Sequence, residues 1–261
     1  MKRACPPLAL ASFLGLAALA GPAADPGASV RDDATWLREQ GTLIFSDAFD
    51  REEDGNLAKA IGNGWTSATA DRVPTIKQAD LDGGVLKVAS AKEAGHGAHI
   101  HHDAGFADGG AIVRFKLPGI STRENLTVGF VDRECPGIHA GHLCYAFLNE
   151  SPGILVRDHK TGVSDQEIRK RRAPFLEAKQ PLPADLAKLL AAKEKTLAWK
   201  PDHEWHELVL VTEGDELRVT LDGIFLGSHR SPGFGHPVKR WLSLAAGSTV
   251  WIDDVRVYRV R

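Results

Sequence analysis

The chain has 261 residues, of which 43% are hydrophobic, and a formal net charge of −2. That is enough apolar material for one large domain or two small ones. Basic and acidic residues nearly cancel, which excludes a global field of the kind that draws nucleic acid, a membrane surface or a strongly acidic substrate. Partner choice therefore rests on a local site.

Lys2 and Arg3 precede an apolar stretch from Leu8 to Ala20, and small residues follow at 18–20 (Ala-Leu-Ala) and 22–24 (Pro-Ala-Ala). This is the layout of a secretory signal peptide, expected over 1–24, so the protein is expected to be exported to the periplasm, the medium or the cell surface. The apolar run is shorter than the roughly 18 residues of a membrane-spanning helix, and no later segment comes close. Cys5 precedes the run, whereas a lipid-anchored cysteine would follow it. Residues 25–42, containing "SVRDDATWLREQ", read as a leader or a short helix.

From Leu43 onward the dominant signal is period-two alternation in short runs broken by Gly, Pro, Asp and Asn. "GAIVRFKL" places Ala111, Val113, Phe115 and Leu117 on one face and Ile112, Arg114 and Lys116 on the other, the pattern of a half-buried strand. "VLKVAS" precedes it, and "NLTVGFVD", "HLCYAFLN" and "GILVRD" follow. From Pro183 to about Lys195, Leu186, Leu189 and Leu190 stand at helical spacing, which predicts one inserted helix. "HELVLVTE", "ELRVTLD" and "IFLGSH" then form a predicted meander, with Asp222-Gly223 suited to a type I′ turn. "RWLSLAA" and the closing "TVWIDDVRVYRV" complete a series that argues for one all-β, antiparallel sandwich over 43–261.

Cys135 and Cys144 flank "PGIHAGHL". In an oxidising compartment a disulfide is the economical reading, with two buried thiols as the alternative. The spacing fits no common zinc finger.

The densest chemical candidate is "HGAHIHHD". In a strand, His99 and His101 point to the same face, where two imidazoles can share a metal ion or act in catalysis. The bland alternative is a polar face. His142 and His159 lie on other predicted strands, and the sequence does not show whether they approach. "EIRKRRAP" gathers Arg169, Lys170, Arg171 and Arg172; it reads as a solvated loop, or as a grip for a sulfated or carboxylated glycan. Paired acids are the usual mark of glycosidases. The nearest approach to a Glu-x-Asp-x-x-Glu strand is Glu213-Gly-Asp215-Glu-Leu-Arg218, whose last acid is an arginine and which lies in a predicted turn. It is rejected as a catalytic site.

"LIFSDAFDREE", the following "NGW", "WHELVLVTEGDELRVTLDG" and the closing "VWIDDVRVYRV" resemble the concanavalin A-like lectin/glucanase superfamily. More narrowly, they resemble exported bacterial 3-keto-disaccharide hydrolase domains, also described as 3-keto-glucoside lyases or hydratases. "WIDDVRV" is closer to laminin G-like and lectin-like members. The resemblance implies a jelly-roll sandwich with its first and last strands paired, and a carbohydrate or glycoside ligand on the concave face. A non-catalytic adhesion module is the alternative. His99 and His101 are the expected catalytic pair; Arg114, Tyr145, Arg157 and His159 are expected to face ligand. Asp253 and Asp254 interrupt the apolar parity of the last strand, and a β-bulge there would release both from the core. Alternatively, Asp47 and Asp253 contribute to a structural calcium site.

Overall fold

The computed structural model describes residues 31–53, 61–67, 70–119, 126–149 and 153–261. The expected signal peptide lies outside the described residues. A helix, α1 (Asp33–Gln40), opens this part of the chain. Asp32 caps it, accepting the backbone N–H groups of Ala34 and Thr35.

The strands β1 (Thr42–Asp47), β2 (Thr66–Ser67), β3 (Ala79–Asp82), β4 (Val85–Ala89), β5 (Ala98–Phe106) and β6 (Gly109–Lys116) come first. Next are β7 (Leu126–Val131), β8 (His142–Leu148) and β9 (Ile154–Asp158), then two helices, α2 (Gln166–Glu177) and α3 (Ala184–Ala191). The chain ends with β10 (Glu194–Leu197), β11 (Trp205–Glu213), β12 (Glu216–Leu221), β13 (Ile224–Arg230), β14 (Lys239–Ala246) and β15 (Thr249–Arg259).

These strands form two antiparallel sheets. Sheet one runs β13-β12-β11-β6-β15-β4-β3, with β1 also paired to β15; sheet two runs β10-β9-β8-β7-β14-β5-β2. Their inner faces supply one core, with Phe115, Leu210 and Val257 from sheet one and Ile100, Phe130 and Leu244 from sheet two. The expected meander is β11-β12-β13, and Asp222 and Gly223 both take the positive φ of a type I′ turn, 51° and 74°.

The outer face of sheet one carries α1. Ala34 and Leu37 pack on Ile112, Val209, Val211 and Tyr258, which is why Ile112 is buried despite its outward parity. Asp33 anchors the helix from beneath: its fully buried carboxylate accepts Arg31 Nε at 3.0 Å, Arg218 Nε at 2.9 Å and Thr220 Oγ1 at 3.0 Å. The N-terminal segment is thus a helix built into this unit, which spans residues 31–261.

The closing strand contains the bulge. Ile252 pairs with Phe115 and Asp254 with Arg114, so Asp253 is the extra residue, and Val250 and Ile252 before it and Val255 and Val257 after it all face inward. Asp253 pairs with Arg114 and Asp254 with Arg256 at 2.6 Å.

Three expectations are corrected. α2 occupies the stretch read as a loop; it buries no residue, so its sequence carries no apolar stripe to announce it, and Pro174 lies within it. The 183–195 helix ends at Ala191, and β10 begins three residues later. Cys135 and Cys144 are free thiols, not a disulfide. Cys144 is fixed in β8 opposite Phe130 with its side chain in the core, whereas Cys135 sits in the turn beyond β7, its N–H bonded to the Asp132 carbonyl. Burial pushes the Cys144 thiol up to about 12.

Candidate functional site

The chemistry-bearing side chains gather on the outer face of sheet two. Strand register lines them up. One cross-strand row runs Glu194, Arg157, Tyr145, Gly129, Ser243 and His101, from β10 through β9, β8, β7 and β14 to β5. A second runs Leu155, Phe147, Thr127, Ala245 and His99. In both rows the alternation that sends Ile100, Val128, Ala146 and Leu244 into the core sends these residues outward.

Gly129 is needed where it stands. A Cβ there would lie 2.3 Å from Tyr145 Cδ1 and 2.2 Å from the Cys144 carbonyl oxygen, so the Tyr145 ring lies across the bare backbone of β7. It leans toward Ser243, although neither hydroxyl makes a well-formed hydrogen bond within the described protein. Burial raises the Tyr145 phenol well above its ordinary value and keeps it protonated. His159 closes this end, with its ring centroid 4.9 Å from Tyr145 and 5.5 Å from Phe147. His142 stands 5.4 Å from Tyr145 and 5.9 Å from His159.

At the other end, Arg133 reaches back from the turn after β7. Its Nη2 donates to His101 Nδ1 at 3.2 Å, and its guanidinium lies 5.5 Å from the Trp241 ring centroid. A guanidinium only donates, so His101 accepts at Nδ1 and, as a neutral ring, carries its proton on Nε2. Burial holds His101 down to about 3, and the charges of Arg133, His99 and His142 act in the same direction. Burial also lowers His99 and His142 to about 4 each, and takes His159 well below its usual value. At neutral pH the site therefore has a floor of uncharged imidazoles. Exposed Arg72, Arg133 and Arg169 act on that floor electrostatically.

His99, His101, Tyr145, Arg157 and His159 are thus brought to one face. Arg114 is not. It lies on the outer face of sheet one, bonded to Asp253 and 5.2 Å from the Trp205 ring centroid. Asp47 and Asp253, the expected calcium ligands, are each engaged by protein donors. The Asp47 carboxylate accepts Phe49 N at 2.9 Å, Arg51 Nη1 at 2.6 Å, Asn63 Nδ2 at 3.0 Å and Trp65 Nε1 at 2.8 Å, and Asp253 is neutralised by Arg114. Although burial opposes it, these four donors hold the Asp47 carboxyl below its usual value. His102 leaves the cluster to stack on Phe45. Among the described residues no three His, Cys, Asp or Glu side chains are grouped to hold a metal ion, so the expected histidine-bound metal has no complete ligand set there.

Sequence reasoning did not single out Arg133 or Ser243, and counted Trp241 only among the tryptophans. Parity in "RWLSLAA" carries the signal for two of them, because Trp241 and Ser243 alternate with buried Leu242 and Leu244. Arg133 lies past the strand end, where alternation no longer applies.

Among the described residues, two acids stand on strands at opposite ends of this face. Asp103 on β5 and Glu194 on β10 are separated by five strand spacings, about 24 Å at the usual pitch. A glycosidase pair stands between about 5 and 9.5 Å. The face is built for uncharged imidazole, phenol and guanidinium chemistry.

Two antiparallel sheets packed face to face, with the first and last strands paired in one of them, make this a concanavalin A-like jelly roll. Among solved structures, the chain is similar to the laminarinase from Rhodothermus marinus, at 14% identity and a TM-score of 0.52, over 84% of this chain and 97% of that one. It is similar as well to the laminarinase from Flavobacterium sp. UMI-01, at 14% identity and a TM-score of 0.50, over 84% of this chain and 100% of that one. No protein-family model and no curated protein sequence matches it. Among the described residues, no helix is long and apolar enough to cross a membrane.

Proposed function

We propose that this is an exported carbohydrate-active protein that acts on 3-keto-glycosides at the outer face of sheet two. The observation that carries the reading is the meeting, on one face, of neutral imidazoles, a protonated phenol and a guanidinium: a base, an acid and an electrophile. The laminarinases that share the fold support its carbohydrate half.

A ketone at C3 of a sugar acidifies the hydrogen at C2. His99, uncharged at neutral pH, takes that proton, and the C–H electrons pass to the ketone oxygen as an enolate. Arg133 and the Nε2–H of His101 stabilise the developing oxyanion. When the enolate collapses, the C1–O bond breaks, and Tyr145 gives its proton to the departing oxygen. The alcohol leaves with the bonding pair, and a C1–C2 double bond conjugated to the ketone remains. Export rests on the signal-like segment, and N-terminal sequencing of the mature protein tests it, with cleavage between residues 18 and 24 expected.

The test of activity is NMR of purified protein with a methyl 3-keto-glucoside. Release of methanol at neutral pH is expected, abolished in His99→Ala and at least tenfold slower in Tyr145→Phe, in line with the usual weight of acid–base groups. Turnover that survives unchanged in the His99→Ala/His101→Ala variant rejects the roles given to these two histidines. One observation favours a second reading, a non-catalytic binding surface: Tyr145 and His101 are only 3% and 6% exposed. Saturable glycan binding without methanol release identifies it.

A further inference from the structure

We infer that the outer face of sheet two receives an anionic sugar, with Arg133, Arg169 and Arg172 placed to meet its carboxylate or sulfate groups. This rests on the carbohydrate reading of the same face and goes on to name the class of sugar.

The charge around the cluster is one-sided. Among the described residues, the charged or chargeable neighbours that act on His101, His142 and His159 are arginines and other histidines. Among the described residues, neither Arg133 nor Arg172 has a carboxylate partner, while Arg157 is paired with Glu194 at 2.7 Å. The acids nearest Arg133 in sequence are engaged elsewhere: Asp132 accepts from His236 at 3.0 Å and Arg240 at 2.9 Å, and Glu134 pairs with Arg240 at 2.7 Å. Arg133 and Arg169 are exposed, so their charges project beyond the neutral floor.

A second observation is independent of charge. Among the described residues, several buried polar atoms here lack a well-formed hydrogen bond: Tyr145 OH, Ser243 Oγ, His159 Nε2 and Arg172 Nε. Buried polar atoms are rarely left unpaired, and those of Tyr145 and Ser243, and of His159 and its neighbour Arg172, leave this face able to take polar groups from a ligand. An oxyanion suits a planar guanidinium with two parallel N–H donors, and an aromatic ring such as Trp241, already beside Arg133, suits the apolar face of a pyranose. The whole chain is slightly negative, at −2, so attraction for a polyanion has to come from this local field.

Matched pairs of polymers test the proposal by calorimetric titration: polygalacturonate against its methyl-esterified form, and dextran sulfate against dextran. At low salt the acidic member of one pair is expected to bind about tenfold tighter or more, the usual worth of one charge-assisted contact, with an advantage that shrinks as salt is added. Arg133→Gln/Arg169→Gln, two exposed positions whose replacement leaves the core intact, is expected to remove that advantage, and Arg230→Gln on sheet one to preserve it. A preference confined to the first pair assigns carboxylate, and one confined to the second assigns sulfate. Equal binding of charged and neutral members overturns the anionic class, and a preference that survives in the double variant overturns its placement on these arginines; both leave the carbohydrate reading standing. Binding of none of the four polymers overturns both.

Discussion

Gly129 shows how much of the site depends on the absence of one carbon. The Tyr145 ring occupies the space a side chain at 129 would need, and it cannot move away without disturbing His159 and Phe147, both packed against it. Gly129→Ala is expected to lower stability by about 1–3 kcal/mol, the usual cost of forcing an extra group into a packed region. Urea denaturation reads this directly, and a change under about 0.5 kcal/mol, the scale of a neutral surface substitution, would show that the ring is not held there. The two conspicuous acids on the sheet-one side differ just as sharply. Asp47 is 5% exposed and binds four donors, so Asp47→Ala strands Arg51 and Trp65 and is expected to cost about 3–5 kcal/mol. Asp253 meets an arginine whose side chain is 50% exposed, and Asp253→Ala is expected to cost at most about 1 kcal/mol. Comparable losses in the two variants would contradict this assignment.

Among the elements, α1 is the one whose role its own sequence conceals. It has only eight residues, too few for independent stability in water, so it depends on docking. Docking is secured by Leu37, fully buried against sheet one, and by the three donors that converge on Asp33. Leu37→Ala is expected to cost about 2–5 kcal/mol and to expose Ile112 and Val211 beneath it. Hydrogen exchange of β11 amides checks this, because unchanged protection there would mean that the helix does not shield the sheet. α2 is the opposite case: a capped helix with no buried residue, which carries Arg169 and Arg172 to the edge of the site.

For the whole molecule, the neutral histidine floor predicts acid lability. His99, His101, His142 and His159 have folded-state values below their ordinary one near 6.5, so above that pH folded and unfolded chains hold the same imidazole protons and the stability is fully present. As pH falls from 6.5 toward 4, the unfolded chain gains protons that the folded one refuses. Each such histidine then removes up to about 1.4 kcal/mol per pH unit. The urea midpoint is expected to drop markedly between pH 7 and pH 5, and less so in a variant with His99, His101 and His142 replaced by Gln. An equal drop in both would place the acid sensitivity elsewhere.

Alternation, turn dipeptides and the interrupted last strand were sufficient to specify an antiparallel sandwich, the β11-β12-β13 meander and the bulge at Asp253, because each depends on neighbours within a few residues. Parity alone likewise put His99 with His101 on one face of their strand. Strand order was decided by tertiary structure, since pairing across β5, β14, β7, β8 and β9 joins segments far apart in sequence. That order brought Arg133 to His101, laid Tyr145 over Gly129 and assembled the histidine cluster. It also sent Arg114, outward-facing by the same parity, to the other sheet. Two residues of equal alternation are indistinguishable until the sheet that each belongs to is known, and the core that selects the sheet is built from the whole chain.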